Sequence, residues 1–138
     1  MADLRTTLAD SPIAFDERQP LIWKRRQVNL VDLEDGANNV IDIPAEHALV
    51  AGYVVSRVTG ASGGAATLDV VFNSANMCSQ LSVADLTKGD VTSFDLDATL
   101  AGVYVTSDTA VSLTNGTAVY TAGQIDLYVG YLKVVDNT

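Results

Sequence analysis

The chain has a single cysteine, Cys78, and a single histidine, His47. One cysteine excludes an internal disulfide and any cysteine-built metal cluster. One histidine removes most histidine-based metal sites. Charged residues are scarce, 18% of 138, which excludes a disordered, highly charged chain. Apolar residues reach 48% and mean hydropathy is +0.21, yet no run approaches the ~18 residues that span a bilayer. The opening stretch MADLRTTLADSPIAF lacks a basic segment followed by an apolar one, so no secretory signal is visible. The phosphate-cradling and nucleophile-elbow patterns G-x-G-x-x-G, G-x-x-x-x-G-K-[ST] and G-x-S-x-G are missing.

Cations are also few: eight against 17 acids, a net charge of −9 and a pI near 4.2. They are unevenly placed. Residues 1–26 hold five cations against four acids, whereas residues 27–138 hold three against 13. Such a body repels nucleic-acid phosphates and anionic membranes and favours solubility or a basic partner surface. Neither nucleic acid nor membrane is an expected partner.

What is present is strand chemistry. Valine occurs 18 times and threonine 13 times, residues that fit a pleated, half-buried surface. Residues 1–20 carry Pro12 and Pro20 and no sustained period, and read as an N-terminal arm that needs something to dock on. Residues 21–138 read as one β-sandwich domain, with bridging strands over 21–43 split by Glu34-Asp35-Gly36 and a compact body over 44–138. Strand-like runs cover 47–58, 66–73, 80–86, 91–97, 102–107, 110–114, 117–121 and 124–136. Short strands with turn signals between them indicate an all-β sandwich or barrel. Asn115-Gly116 suits a two-residue hairpin turn, since both positions need φ > 0. In the last run Asp126, Tyr128 and Gly130 fall on one side of the pleat, and Ile125, Leu127, Val129 and Tyr131 on the other.

Candidate chemistry is thin. His47 precedes a strand and Cys78 lies between two strand runs, and nothing local pairs or orients them as a nucleophilic couple needs. Asp95 and Asp97 share a strand face, with Asp85 and Asp90 upstream, but no loop has the ligand spacing of a calcium site. Such a set reads as a solvated acidic face, and Asn115-Gly116-Thr117 as a turn rather than a glycan acceptor. No enzyme, metal or cofactor is expected. The concentrated feature is Trp23-Lys24-Arg25-Arg26, which joins the only tryptophan to three of eight cations. It reads either as a docking segment, Trp and Arg being frequent interface anchors, or as an edge strand whose cations deter aggregation. With Ile13 and Phe15 in the arm, these residues form the candidate partner-binding set.

The order Ile43-Pro44-Ala45, Leu49 to Val55 and Ala66 to Val70, followed by Tyr104 to Thr114 and Thr121 to Tyr131, resembles small tailed-phage virion proteins. The ending in particular is similar to that of head decoration (cement) proteins: a strand, a Thr-Ala-Gly turn, then the last strand. The resemblance covers about residues 40–135 and rests on turns and alternation. It implies a jelly-roll-like β-sandwich that binds the major capsid protein on the outer surface of a phage head, commonly as a homotrimer, with no catalytic residues. The implied location is the virion, after synthesis in the host cytoplasm. Tail, head-fibre and connector subunits share this composition. A carbohydrate-binding sandwich is the remaining alternative, weakened by aromatics of only 7% that sit mostly in strand interiors.

Overall fold

A computed structural model describes residues 21–64, 66–82, 86–96, 103–116 and 119–134. The arm over 1–20 lies outside the described residues, as do Asp85 and Asp97. Nine strands follow in chain order: β1 (Ile22–Asn29), β2 (Gly36–Ile43), β3 (His47–Ser62), β4 (Thr67–Phe72), β5 (Ala75–Ser82), β6 (Val91–Ser93), β7 (Tyr104–Val105), β8 (Thr109–Asn115) and β9 (Tyr120–Lys133). A single 3₁₀ turn, Leu30–Asp32, joins β1 to β2, and the described residues contain no α-helix.

The strands form two sheets, and all their pairings are antiparallel. Sheet A has the order β1-β9-β3-β6, with β7 also paired to β3; sheet B has the order β2-β8-β4-β5. Consecutive strands therefore alternate between layers at β1, β2, β3 and β4. This double Greek-key order is the jelly roll. The all-β sandwich is as the sequence patterns imply, with β1 in sheet A and β2 in sheet B.

Alternation builds the core directly. Ile125, Leu127 and Val129 of β9 are fully buried, as are Leu68, Val70 and Phe72 of β4 and Val111 and Leu113 of β8. They face each other across the sandwich, and full burial of each such side chain is worth about 1.5–3 kcal/mol. Leu30 and Leu86, both nearly inaccessible, fill in from the connections.

Three local expectations are corrected. Asn115-Gly116 is not a hairpin, because β8 lies in sheet B and β9 in sheet A. The two-residue hairpin is Asn73-Ser74, with φ of 52° and 67°, which closes Phe72 against Ala75. Thr121-Ala122-Gly123 is not a turn but the interior of β9, where Gly123 has φ of 130°. A Cβ there would come within 2.9 Å of the Gly60 Cα and 2.6 Å of Leu30, so only glycine lets β9 pass β3 here, where the pairing shifts register between Val58 and Ala61. Finally, Met77-Cys78 is inside β5, which begins at Ala75 and ends at Ser82 rather than running from 80 to 86.

Candidate partner-binding face

The cluster Trp23-Lys24-Arg25-Arg26 lies within β1, an edge strand of sheet A, and all four side chains are exposed. Because neighbouring residues in a strand point to opposite sides, the pleat divides the cluster in two. Trp23 and Arg25 stand opposite Gly130 and Tyr128 of β9, on the outer face of sheet A. Lys24 and Arg26 stand opposite Val129 and Leu127, on the core side, where β1 overhangs the sandwich.

On the outer face, Trp23 lies over Gly130. A Cβ on that glycine would sit 3.2 Å from three atoms of the indole ring. The missing side chain is what lets the ring lie down on the sheet. Trp23 remains 48% exposed. Next to it, at 6.1 Å between centroids, is Tyr53 of β3, which stacks on Tyr128 of β9 at 4.7 Å and 19°. Two guanidiniums complete the face. Arg25 Nη1 is 3.5 Å and Arg57 Nη1 3.2 Å from Asp126 Oδ2. The arginines are about half exposed and Asp126 is fully buried, with no hydrogen bond to either carboxylate oxygen from the described residues. Among the described residues the two arginines are what offsets its desolvation. Val91 of β6, 61% exposed and aligned with Val55, extends the face as an apolar margin.

On the core side, Lys24 Nζ lies 5.6 Å from the centre of the Tyr131 ring, within cation–π range. Arg26 borders a groove of about 470 Å³ between the free edges of β1 and β2, lined also by Val28, Asp32, Leu33, Asn39 and Val40. Among the described residues neither edge has a further strand partner, the geometry for adding an extended segment.

The two layers differ in sign. The strands of sheet A carry five cations (Lys24, Arg25, Arg26, Arg57, Lys133) and one acid, Asp126. Those of sheet B carry two acids, Asp42 and Asp69, and no cation. From Gln27 to Ser56 the chain has five acids (Asp32, Glu34, Asp35, Asp42, Glu46) and no cation. All five are exposed.

The other residues considered from sequence fall elsewhere. His47 opens β3; its Nδ1 is 2.9 Å from the Ala45 carbonyl and its ring meets Tyr131 edge-on at 5.5 Å. Cys78 is buried in β5, in the other sheet, and its thiol donates to the Ser93 carbonyl at 3.4 Å. Burial, helped by the nearby Asp95 charge, pushes this thiol up to about 11. His47 and Cys78 are thus separately partnered. Among the described residues no three His, Cys, Asp or Glu side chains gather as a metal would require. Ile13 and Phe15 lie outside the described residues.

Tyr53, Tyr128, Arg57 and Asp126 were not singled out from sequence as a site. Alternation already groups Asp126, Tyr128 and Gly130; that β1 and β3 flank β9 is tertiary. Tyr120 and Tyr131 are interior, each 2% exposed, whereas Tyr53 and Tyr128 are half-buried on the outer face and Tyr104 is 38% exposed, donating a hydrogen bond to Glu46.

No protein-family model matches the chain, and no curated protein sequence is similar to it. Solved structures share the fold. A chain in the acidic stable capsid structure of Helicobacter pylori bacteriophage KHP30 superposes with a TM-score of 0.60 at 15% identity, covering 81% of this chain and 86% of that one. A chain in the capsid of Ralstonia phage GP4 superposes with a TM-score of 0.57 at 15% identity, covering 84% and 86%.

Proposed function

We propose that this protein is a non-enzymatic structural subunit of a phage virion, a decoration or cement protein that binds the major capsid protein on the outside of the head. The observation that carries the reading is the jelly roll shared, over more than four-fifths of this chain, with chains of two phage capsid structures. An acidic strand-built body, with His47 and Cys78 separately partnered, fits a scaffold better than a catalyst.

Attachment in this reading runs along β1. Arg26 borders the open groove, and residues 1–20, with Ile13 and Phe15, precede that strand in the sequence. An extended arm laid along a neighbour's free edge gains main-chain hydrogen bonds as well as side-chain contacts. Trp23 and Arg25 lie on the other side of the strand, away from this groove. Several copies in one oligomer, a trimer on the resemblance above, would gain avidity of order 10²–10⁴ over a single contact.

The open indole of Trp23 is the one feature that favours a carbohydrate-binding reading. Against it, the Tyr53 and Tyr128 rings face one another and offer no flat platform beside the indole.

The test is reconstitution. Heads lacking the protein, incubated with it, are expected to bind it in co-sedimentation, to resist heating better, and to show added density outside the shell by electron cryomicroscopy. Deleting residues 1–20 is expected to leave the sandwich folded and to weaken uptake. Absence from heads combined with co-purification with tails would replace this reading with a tail or connector role.

A further inference from the structure

The outer face of sheet A combines three features. It exposes tryptophan, tyrosine and arginine together, the residue types that dominate interface hot spots. It continues into exposed valine at Val91. Its accessible charges are the guanidiniums of Arg25 and Arg57, the Asp126 between them being buried, in a chain of net charge −9. By contrast, the outer-facing residues of sheet B include Asn39, Asp42, Thr67, Asp69, Ser112 and Thr114, a surface suited to water.

We infer that this face docks a second copy of the chain, head to tail, against the acidic side formed by the 30–35 connection and β2. Charge complementarity selects the occupant. The complement of a cationic aromatic face is an exposed acidic surface, and the 30–35 connection and β2 supply exposed Asp32, Glu34, Asp35 and Asp42 with no cation of their own. Charge also selects the geometry. A two-fold pairing of the face with itself would set Arg25 and Arg57 against the same guanidiniums of the partner. The head-to-tail contact instead pairs them with carboxylates, and such heterologous contacts close into rings when the rotation allows. Trp23 and the Tyr53–Tyr128 stack form its dry centre. The inference deepens the decoration-protein reading and rests on it only for the lattice on which such a ring would sit.

Trp23 is the sole tryptophan, so its fluorescence reports on this face alone. With rising protein concentration its emission is expected to shift to the blue and to lose access to acrylamide, in step with the rise in sedimentation coefficient. Raising salt from about 0.05 to about 0.5 M is expected to weaken association about tenfold or more, because the rim pairs are screened. Trp23→Ala is expected to weaken it by about 30-fold, equivalent to ~2 kcal/mol. The exposed pair Asp35→Lys/Asp42→Lys is expected to do likewise from the other side.

The decisive experiment mixes these variants. Trp23→Ala has a broken face and an intact acidic side; Asp35→Lys/Asp42→Lys has the reverse. At a concentration where the wild type associates and a contact weakened about 30-fold does not hold, each alone is expected to stay monomeric, and together they are expected to form a 1:1 heterodimer and nothing larger. Circular dichroism confirms that both are folded, and should Trp23→Ala unfold, Trp23→Gln takes its place. A wild-type chain that stays monomeric at high micromolar concentration overturns the inference. So does association unaffected by the variants, or a mixture that remains monomeric. If the wild type is monomeric yet Trp23 becomes shielded on binding heads, the face is a capsid contact; the decoration reading then stands and this inference falls. If copies associate as expected but fail to bind heads, the inference stands and the decoration reading falls.

Discussion

The buried charge on β9 allows a sharp energetic test. Asp126 is wholly inaccessible, while Arg25 and Arg57, both within 3.5 Å of its Oδ2, are about half exposed. This makes the triad asymmetric. Removing Asp126 leaves two guanidiniums that water can still reach. Removing both arginines leaves a carboxylate in the sheet with no hydrogen bond and no compensating charge among the described residues. Breaking a buried pair in that way costs about 3–5 kcal/mol. The full penalty is expected in Arg25→Ala/Arg57→Ala. Either single variant retains one guanidinium, so each is expected to lose only about 1–2 kcal/mol, and the two singles together less than the double. Adding Asp126→Val to the double removes the stranded charge and supplies a β-branched residue beside Gln27 and Val55. The triple variant is expected to regain at least about 2 kcal/mol of the loss. Urea unfolding at constant m measures this, at sub-micromolar protein and about 0.5 M salt so that any self-association adds nothing to stability. A double variant that loses less than about 1 kcal/mol, or a triple no more stable than the double, would refute the idea that the arginines compensate this charge.

Two further outcomes are expected. Gly52→Ala would push a Cβ into the Phe94 ring and cost about 1–3 kcal/mol by thermal unfolding; Phe94→Leu in the same chain should recover part of it. Burial holds the Cys78 thiol at about 11 and the Tyr120 hydroxyl at about 12, above ordinary values of 9.0 and 10.0, with Asp95 and Asp69 adding to the respective shifts. The folded state therefore keeps protons that the unfolded state releases. Stability should be level below pH 9 and fall as pH rises through 11 and 12, and Cys78→Ala should remove the lower part of that fall. At pH 8 the thiol should react with disulfide reagents only as fast as the sandwich opens.

The sequence by itself determined the class of fold and the faces of individual strands. Val, Ile and Thr at alternate positions specify strands because their branched side chains suit the pleat, and period two alone groups Ile125, Leu127 and Val129 on one side, the side the structure buries. Punctuation was less legible. Thr121-Ala122-Gly123 and Asn115-Gly116 have turn composition, yet the first is spanned by a 14-residue strand and the second leads from one sheet to the other. Glycine marks where a Cβ does not fit, and at Gly123 the obstacle is Gly60 and Leu30, distant in sequence. The actual hairpin at Asn73-Ser74 lacks glycine altogether. The partner-binding face was legible only as the fragment Trp23 to Arg26, and only the tertiary structure decided its meaning. Placing β9 between β1 and β3 brought Tyr53, Arg57 and Asp126 beside Trp23 and Arg25, from positions up to about a hundred residues apart. It also sent Lys24 and Arg26 to the opposite side. Alternation is a local property that one strand carries in its own residues. Which strands lie side by side depends on how two whole sheets bury their apolar faces, and no single segment encodes that.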